Sequence, residues 1–238
     1  MGNICIIPAR GGSKRIPRKN IKPFLGKPII AYSIQAALDS GLFDEIMVST
    51  DDNEIAEIAK QYGAKVPFLR SKKNSDDFTG TGDVCYEVLN LYESMNIFFN
   101  NVCCLYPTAP FISKKVLLEG YETLMSNNGV DCVISLGLYN TPIERSYGKS
   151  KTGIVEFNFP EFEKYRSQDL PDNFFDVGQF YWFLYDEFKK LENKNSFGIK
   201  KNGVVLDEMR IQDIDTLSDW EIAEFKYTYL INNKNDKQ

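Results

Sequence analysis

Between Ile7 and Phe24 the sequence reads IPARGGSKRIPRKNIKPF, which gathers Arg10, Lys14, Arg15, Arg18, Lys19 and Lys22 around the paired glycines Gly11 and Gly12. A largely apolar run, NICIIPA, leads into it. Glycines that follow a strand let backbone N–H groups turn toward an anion, and Arg10 and Lys14 add charge at that point. The spacing matches neither the P-loop, G-x-x-x-x-G-K-[ST], nor the dinucleotide fingerprint G-x-G-x-x-G. A second basic cluster, Arg18 and Lys19 with Asn20, follows instead. Cations at several spacings suit an extended polyphosphate better than a single phosphate.

Near the other end stands RIQDIDT, with Asp213 and Asp215 two residues apart. On a strand both would point to one face. Paired carboxylates repel unless one is protonated or a cation lies between them. A hard divalent ion such as Mg2+, held by one or two carboxylates and by phosphate oxygens, would resolve the conflict. The alternative is a strand-to-helix turn whose aspartates cap the helix. A further stretch, VSTDD at Val48–Asp52, sits where ligands bind in open α/β sheets, although Asp51 or Asp52 is read first as the N-cap of the following helix. A polyphosphate loop, a carboxylate pair and a parallel sheet to join them describe nucleotidyl transfer.

Composition narrows the chemistry. The 238 residues carry a formal charge of −5 and contain no histidine, so proton transfer falls to carboxylates, lysine, tyrosine or metal-bound oxygen. The five cysteines form no C-x-x-C pair, and Cys5, Cys103, Cys104 and Cys132 lie in short apolar runs, as small buried hydrophobes do. Residues 1–38 hold seven Lys and Arg and no Asp or Glu, whereas the remaining 200 hold 21 basic and 33 acidic side chains. A localised anion site fits that distribution; nucleic acid does not, because the rest of the surface repels a polyanion. No apolar run approaches the roughly 20 residues of a membrane span. No secretory signal opens the chain, and Ile6 stands where a myristoylation site needs Ser or Thr, so a cytoplasmic protein is expected.

These residues need a scaffold, and the periodicity supplies one. Asn3–Ala9 reads as a central parallel strand, followed by a helix from Pro28 to Gly41 through Ile30, Ile34 and Leu38. Glu45–Thr50 reads as a strand, Asn53–Tyr62 as a helix, Ala64–Phe68 as a short strand and Asp83–Met95 as a helix. Val102–Tyr106 is the next strand, Ser113–Ser126 a capped helix and Cys132–Leu136 a further strand. Such alternation predicts an α/β three-layer sandwich on a mostly parallel, Rossmann-like sheet, organised as a single domain over 1–238. The rhythm breaks over 138–175, where GIVEFNF looks like one strand of a hairpin; this insertion is expected to cover a neighbouring site or a second subunit. The α/β pattern resumes with GQFYWFLY, a helix through Leu191, GVVLD and a last helix from Thr216, with Asp219 at the capping-box position and Trp220, Ala223, Tyr227 and Leu230 facing inward. A polar tail, Asn232–Gln238, is expected to fray.

The stretches IPARGGSKRIPRKNIKPFLGKPIIAYSI, STDD, DDFTGT, YPTAPF, RSQDLP, DVGQFYW and QDIDT follow in the order seen in the CMP-nonulosonate synthetases. From Asn3 to about Lys226 the chain resembles these enzymes, and among them most the pseudaminic acid cytidylyltransferases. The resemblance implies a nucleotidyltransferase-type fold that joins CTP to a nine-carbon acidic sugar with Mg2+, releasing pyrophosphate. It implies that Arg10, Ser13, Lys14, Lys19 and Asn20 hold the triphosphate and cytidine, beside the loop glycines Gly11 and Gly12. Arg70, Thr79 and Thr81 would lie near the cytosine, with Thr108 also on the nucleotide. Tyr106, Arg166, Gln168, Asp176, Gln179, Phe180 and Tyr181 would line the sugar site, Asp213 and Asp215 would bind the metal, and the insertion would be a dimerisation arm. Arg10, Lys14, Lys19, Asp213 and Asp215 would carry the catalysis. Phe175 and Trp182 add aromatic surface near the proposed sugar site.

Two positions depart from relatives. Tyr106 stands where sialic acid enzymes usually have Gln, which points away from sialic acid. Phe175 stands where pseudaminic relatives commonly have His. The rival readings are a synthetase for sialic or legionaminic acid and, from another class, a non-catalytic nucleotide-binding protein.

Overall fold

A computed structural model describes residues 2–126 and 129–235. The buried run of Gly2–Pro8 forms β1, and the basic loop that follows folds back through a short hairpin, β2 (Pro23–Phe24) and β3 (Lys27–Pro28). Pro28 thus pairs with Pro23 in that hairpin, and helix α1 begins two residues later, at Ile30, and ends at Ser40. Gly41 closes it in the left-handed conformation at φ 65°, where a Cβ would be penalised. Next come β4 (Glu45–Ser49), α2 (Asn53–Gln61), α3 (Thr81–Ser94), β5 (Phe99–Leu105), α4 (Lys114–Met125) and β6 (Cys132–Leu138). A small detached hairpin, β7 (Tyr147–Lys149) and β8 (Val155–Phe157), occupies the insertion, as the GIVEFNF pattern suggested. The chain returns through β9 (Phe174–Leu184), α5 (Tyr185–Lys190), β10 (Lys201–Val205) and α6 (Leu217–Asn235).

Six strands form one sheet in the order β10-β6-β9-β5-β1-β4, parallel except for β9, which runs antiparallel between β5 and β6. Period-two alternation in β1 feeds two cores. Cys5 and Ile7 pack with α1 and α4 on one face, whereas Ile4 and Ile6 pack with α3 and α5 on the other. Burying one such isoleucine contributes roughly 1.5–3 kcal/mol, and Ile4, Ile6 and Ile7 are all fully buried. All five cysteines are buried and free.

The expected strand at Ala64–Phe68 is reduced to one bridge, Lys65 with Met47. Lys65 exchanges bonds with Ile46 and Val48, and Pro67, which has no N–H, ends the pairing there. Helix α6 starts as its sequence indicated. Thr216 and Asp219 cap each other reciprocally, Asp219 N–H to Thr216 Oγ1 at 3.2 Å and Thr216 N–H to Asp219 Oδ2 at 2.7 Å. Trp220 and Ala223 are buried, and Tyr227 and Leu230 pack beside them against Phe24 and Tyr32. This helix continues to Asn235, into the segment expected to fray; residues 236–238 lie outside the described ones. No helix among the described residues is long and apolar enough to cross a membrane.

Candidate active site

The basic loop is stapled before any ligand enters. Asn20, buried in a 3-10 turn, donates from Nδ2 to the carbonyl of Arg10 at 2.9 Å, which ties the second basic cluster to the end of β1. Arg18 turns away from the loop's interior, in the left-handed conformation, and pairs with Asp52 at 2.5 Å and with Glu54. Its guanidinium holds the Asp52 carboxyl down at about 2. Asp52 also caps α2 by accepting from Ile55 N–H at 3.0 Å, the bland role foreseen for it. Gly11 is needed for close approach, since a Cβ there would lie 2.8 Å from Asp52 Oδ2. The Gly11 N–H donates to Asp51 Oδ1 at 2.9 Å, so a carboxylate takes the donor expected to face a phosphate.

The cations that remain surround a cleft of about 430 Å3. Arg10, Ser13, Lys14, Lys19, Asn20, Arg70, Thr79, Thr81 and Thr108 all line it, which brings together every expected nucleotide residue except Gly11 and Gly12. Arg70 is buried, and burial opposes its charge; its Nη2 donates to the Ser49 carbonyl at 2.5 Å, which fixes it at the end of β4. Lys19 reaches across the chain to the carbonyl of Ile214 at 2.6 Å and to Asp215 Oδ1 at 3.3 Å, and Arg15 meets Asp215 Oδ2 at 2.8 Å. The N-terminal loop and the C-terminal aspartates therefore form one site.

A second cleft of about 310 Å3 adjoins the first and shares Tyr106 and Thr108 with it. Asp176, Gln179, Tyr181, Gln212 and Asp213 complete its polar lining. A bulge creates it. The register between β6 and β9 shifts between Ile134 and Leu136, Gly178 turns with φ 65°, and Asp176 accepts from Gly178 N–H at 2.9 Å and from Tyr181 Oη at 2.8 Å. Ser135 Oγ repairs the ladder by accepting from Gln179 N–H at 3.0 Å. Asp213 and Asp215 lie on an irregular segment, not on the strand that their spacing suggested, and helix capping is done by Thr216 and Asp219 instead. Burial, then the neighbouring Asp215, push the Asp213 carboxyl up. Among the described residues its side chain makes no hydrogen bond or ion pair.

Against this geometry, the family model for "Cytidylyltransferase" matches residues 4–198. The chain belongs to the cytidylyltransferase family. It is 43% identical to the pseudaminic acid cytidylyltransferase of Campylobacter jejuni strain 81-176, over 95% of this chain and 97% of that one. It is 34% identical to the CMP-N,N'-diacetyllegionaminic acid synthase of Legionella pneumophila, over 93% and 94% of the two chains. The solved structure of CMP:2-keto-3-deoxy-manno-octonic acid synthetase in complex with CTP superposes with a TM-score of 0.70 over 96% of this chain and 99% of that one; at 16% identity it supports the fold alone.

Three sequence expectations for the second cleft do not hold within this chain. Phe180 is fully buried on the α4 side of β9, with Trp182, because alternation points it away from Gln179 and Tyr181. Phe175 packs its ring at a tilt against Tyr139, centroids 5.0 Å apart, outside the cleft. Arg166 and Gln168 line neither cleft, and Arg166 forms an exposed ion pair with Asp169 at 2.7 Å. Conversely, two lining residues escaped the sequence reading. Asp77 binds both Arg10, at 2.7 Å, and Lys14. It stands in the DDFTGT stretch, but no spacing signal connects it with a loop more than sixty positions earlier. Gln212 adjoins the Asp213 segment and gave no signal of its own.

Proposed function

We propose that this cytidylyltransferase joins CTP to pseudaminic acid, giving CMP-pseudaminic acid and pyrophosphate, in an Mg2+-dependent reaction. The observation that carries the reading is the junction of the two clefts at Tyr106 and Thr108, cationic on one side and carrying Asp213 on the other. The identity of the sugar rests on the likeness to the Campylobacter enzyme. The sugar hydroxyl attacks the α-phosphorus, the bond to the β-phosphate oxygen breaks, and negative charge builds on the departing pyrophosphate. Arg10, Lys14 and Lys19 stand where they offset that charge, and preorganised charge of this kind is the main catalytic resource of a water-poor site. Ser13, Thr79 and Thr81 offer short hydroxyls to the nucleotide.

Asp213 and Asp215 fit a divalent ion. Among the described residues the exposed Asp213 side chain is unpaired, desolvation and then Asp215 push its carboxyl up, and no third His, Cys, Asp or Glu joins the two. Two carboxylates with phosphate oxygens to complete the shell suit Mg2+, which when bound polarises the α-phosphate. We further propose that the protein is a homodimer through the 138–175 arm. The arm exposes Tyr147, Ile154 and Val155, and it carries Arg166 and Gln168, two of the expected sugar residues that this chain's own cleft lacks. Such an enzyme works in the cytoplasm, where CTP is made available.

Pyrophosphate release with CTP and a panel of pseudaminic, legionaminic and sialic acids tests the assignment. Turnover with pseudaminic acid is expected to exceed that with sialic acid by about 10²-fold or more, the scale on which a largely apolar pocket rejects an added hydroxyl. A preference for legionaminic acid would move the assignment to the function named for the Legionella relative.

A further inference from the structure

The first turn of α3 forms one wall of the cationic cleft, with Thr79, Thr81 and Val84 lining it. That helix lacks a cap of its own. Gly80 occupies the N-cap position and has no side chain with which to satisfy the N–H groups of the first turn. The acceptor arrives from far along the sequence. Asn195 Oδ1 accepts from Gly82 N–H at 2.8 Å, and Asn195 Nδ2 donates to Asp83 Oδ2 at 2.8 Å. Both ends of the carboxamide are used, and the partners fix its orientation: an N–H needs the oxygen, a carboxylate needs the amide nitrogen.

Two glycines make room for this docking. A Cβ on Gly80 would lie 2.1 Å from Asn195 Oδ1, and one on Gly82 would lie 2.2 Å from the Lys194 carbonyl oxygen. Neither glycine has positive φ, so close approach is what excludes a side chain at both positions. The same turn also reaches the second cleft. Phe197, in the left-handed conformation at φ 57°, stacks on Tyr181 with ring centroids 4.3 Å apart. Tyr181 is the residue that donates to Asp176. Thr81 Oγ1 and Tyr106 Oη lie 3.0 Å apart and close the circuit between the two walls.

We propose that Asn195 is a positioning residue for nucleotide binding. It lines neither cleft, and it holds the Thr79–Thr81 wall at a set distance from the basic loop by anchoring α3 to the Asn193–Phe197 turn. The inference rests on CTP being the nucleotide.

The test compares Asn195→Ala with the double variant Gly80→Ser/Asn195→Ala, in which a serine gives α3 its own cap in the space vacated by the amide. In Asn195→Ala both the KM for CTP and its dissociation constant, from calorimetry with CTP alone, are expected to rise about tenfold, the scale of one lost cap, with kcat little changed. The double variant is expected to regain the melting temperature but not the affinity. Unchanged CTP affinity in Asn195→Ala, or affinity restored together with the melting temperature, would reduce Asn195 to a helix cap and overturn the proposal. Should Asn195→Ala not fold, Asn195→Asp keeps the acceptor for Gly82 but replaces the donor to Asp83 with a second carboxylate. A smaller rise in the CTP constant is expected there, and no rise counts against the role. Wild-type turnover in the same assay tests the CTP reading separately.

Discussion

In the cationic cleft the charged side chains already hold partners from this chain. Asp77 meets Arg10 and Lys14, and Asp215 meets Arg15 and Lys19. The second cleft is different: Asp213 is exposed and, among the described residues, has no ion-pair partner, and the expected Arg166 and Gln168 lie elsewhere. A cleft whose charges are satisfied internally keeps its shape before its ligand arrives, and ligand phosphates then exchange places with carboxylates. A cleft with an exposed, unpaired carboxylate and without the expected Arg166 depends on what is added to it. The contrast sets a nucleotide cleft furnished by one chain against a second cleft that, on the proposed reading, an ion and a second copy would complete.

The largest expected effect strikes the point where the clefts join. Asp215→Asn removes a proposed metal ligand and loosens Arg15 and Lys19 together, and turnover at saturating CTP should fall by at least about 10²-fold. The Thr216–Asp219 cap is untouched, so α6 and the circular dichroism spectrum should survive. Near-normal turnover at limiting Mg2+ would remove the pair from the mechanism.

The next effect concerns the arm. Arg166→Ala should raise the KM for the sugar and leave that for CTP in place, because Arg166 lies away from the cationic cleft. If the arm completes a partner's site, mixing inactive Asp215→Asn with Arg166→Ala subunits should restore part of the turnover, since some hybrid sites then carry neither substitution. A mixture no more active than the average of its components would confine each site to one chain.

A smaller effect separates the loop's staple from its catalytic cations. Arg18 serves Asp52, whose folded value of about 2 lies below the ordinary carboxylate value of about 3.9. A depressed carboxylate contributes stability above its unfolded value and loses it as the pH falls through the folded one. Arg18→Ala should therefore melt earlier than wild type at neutral pH, with the two curves converging as the pH drops from about 4 toward about 2. A difference independent of pH would assign the loss to packing.

The sequence showed the sheet, the basic loop and nearly all of the first cleft, because those signals are local. Apolar alternation set β1, β4 and β5, and the glycines and cations of one loop could be read together. What was illegible depends on long-range contact or on a break in periodicity. The bulge at Asp176–Gln179 shapes the second cleft, and strand alternation beyond it turns Phe180 to the opposite face from Gln179 and Tyr181. Pro67 erased a strand that residue composition alone supported. Asp213 and Asp215 were recognised as a pair, but their spacing implied a strand, and the chain presents them from an irregular segment.

The smallest expected effect tests whether the first cleft is self-neutralised by design of its loops. Asp77 places one carboxylate oxygen on Arg10 Nη1 at 2.7 Å and the other on Lys14, and both cations hold its carboxyl below its usual range. A triphosphate entering between Arg10 and Lys14 must displace that carboxylate, and the exchange offsets part of the binding energy. Asp77→Asn keeps the side chain's size and removes the charge that pairs with both cations, while Arg10 keeps its bond to the Asp76 carbonyl. The dissociation constant for CTP should then fall, by no more than about threefold, because an exposed ion pair is weak and screened by salt. The gain should be largest at low ionic strength and vanish as salt rises, since the Asp77 pairing itself fades there. An affinity that drops on Asp77→Asn would instead make Asp77 a working part of the nucleotide site, for instance through a water or ion it shares with the phosphates, and the two clefts would then be alike in needing an added partner.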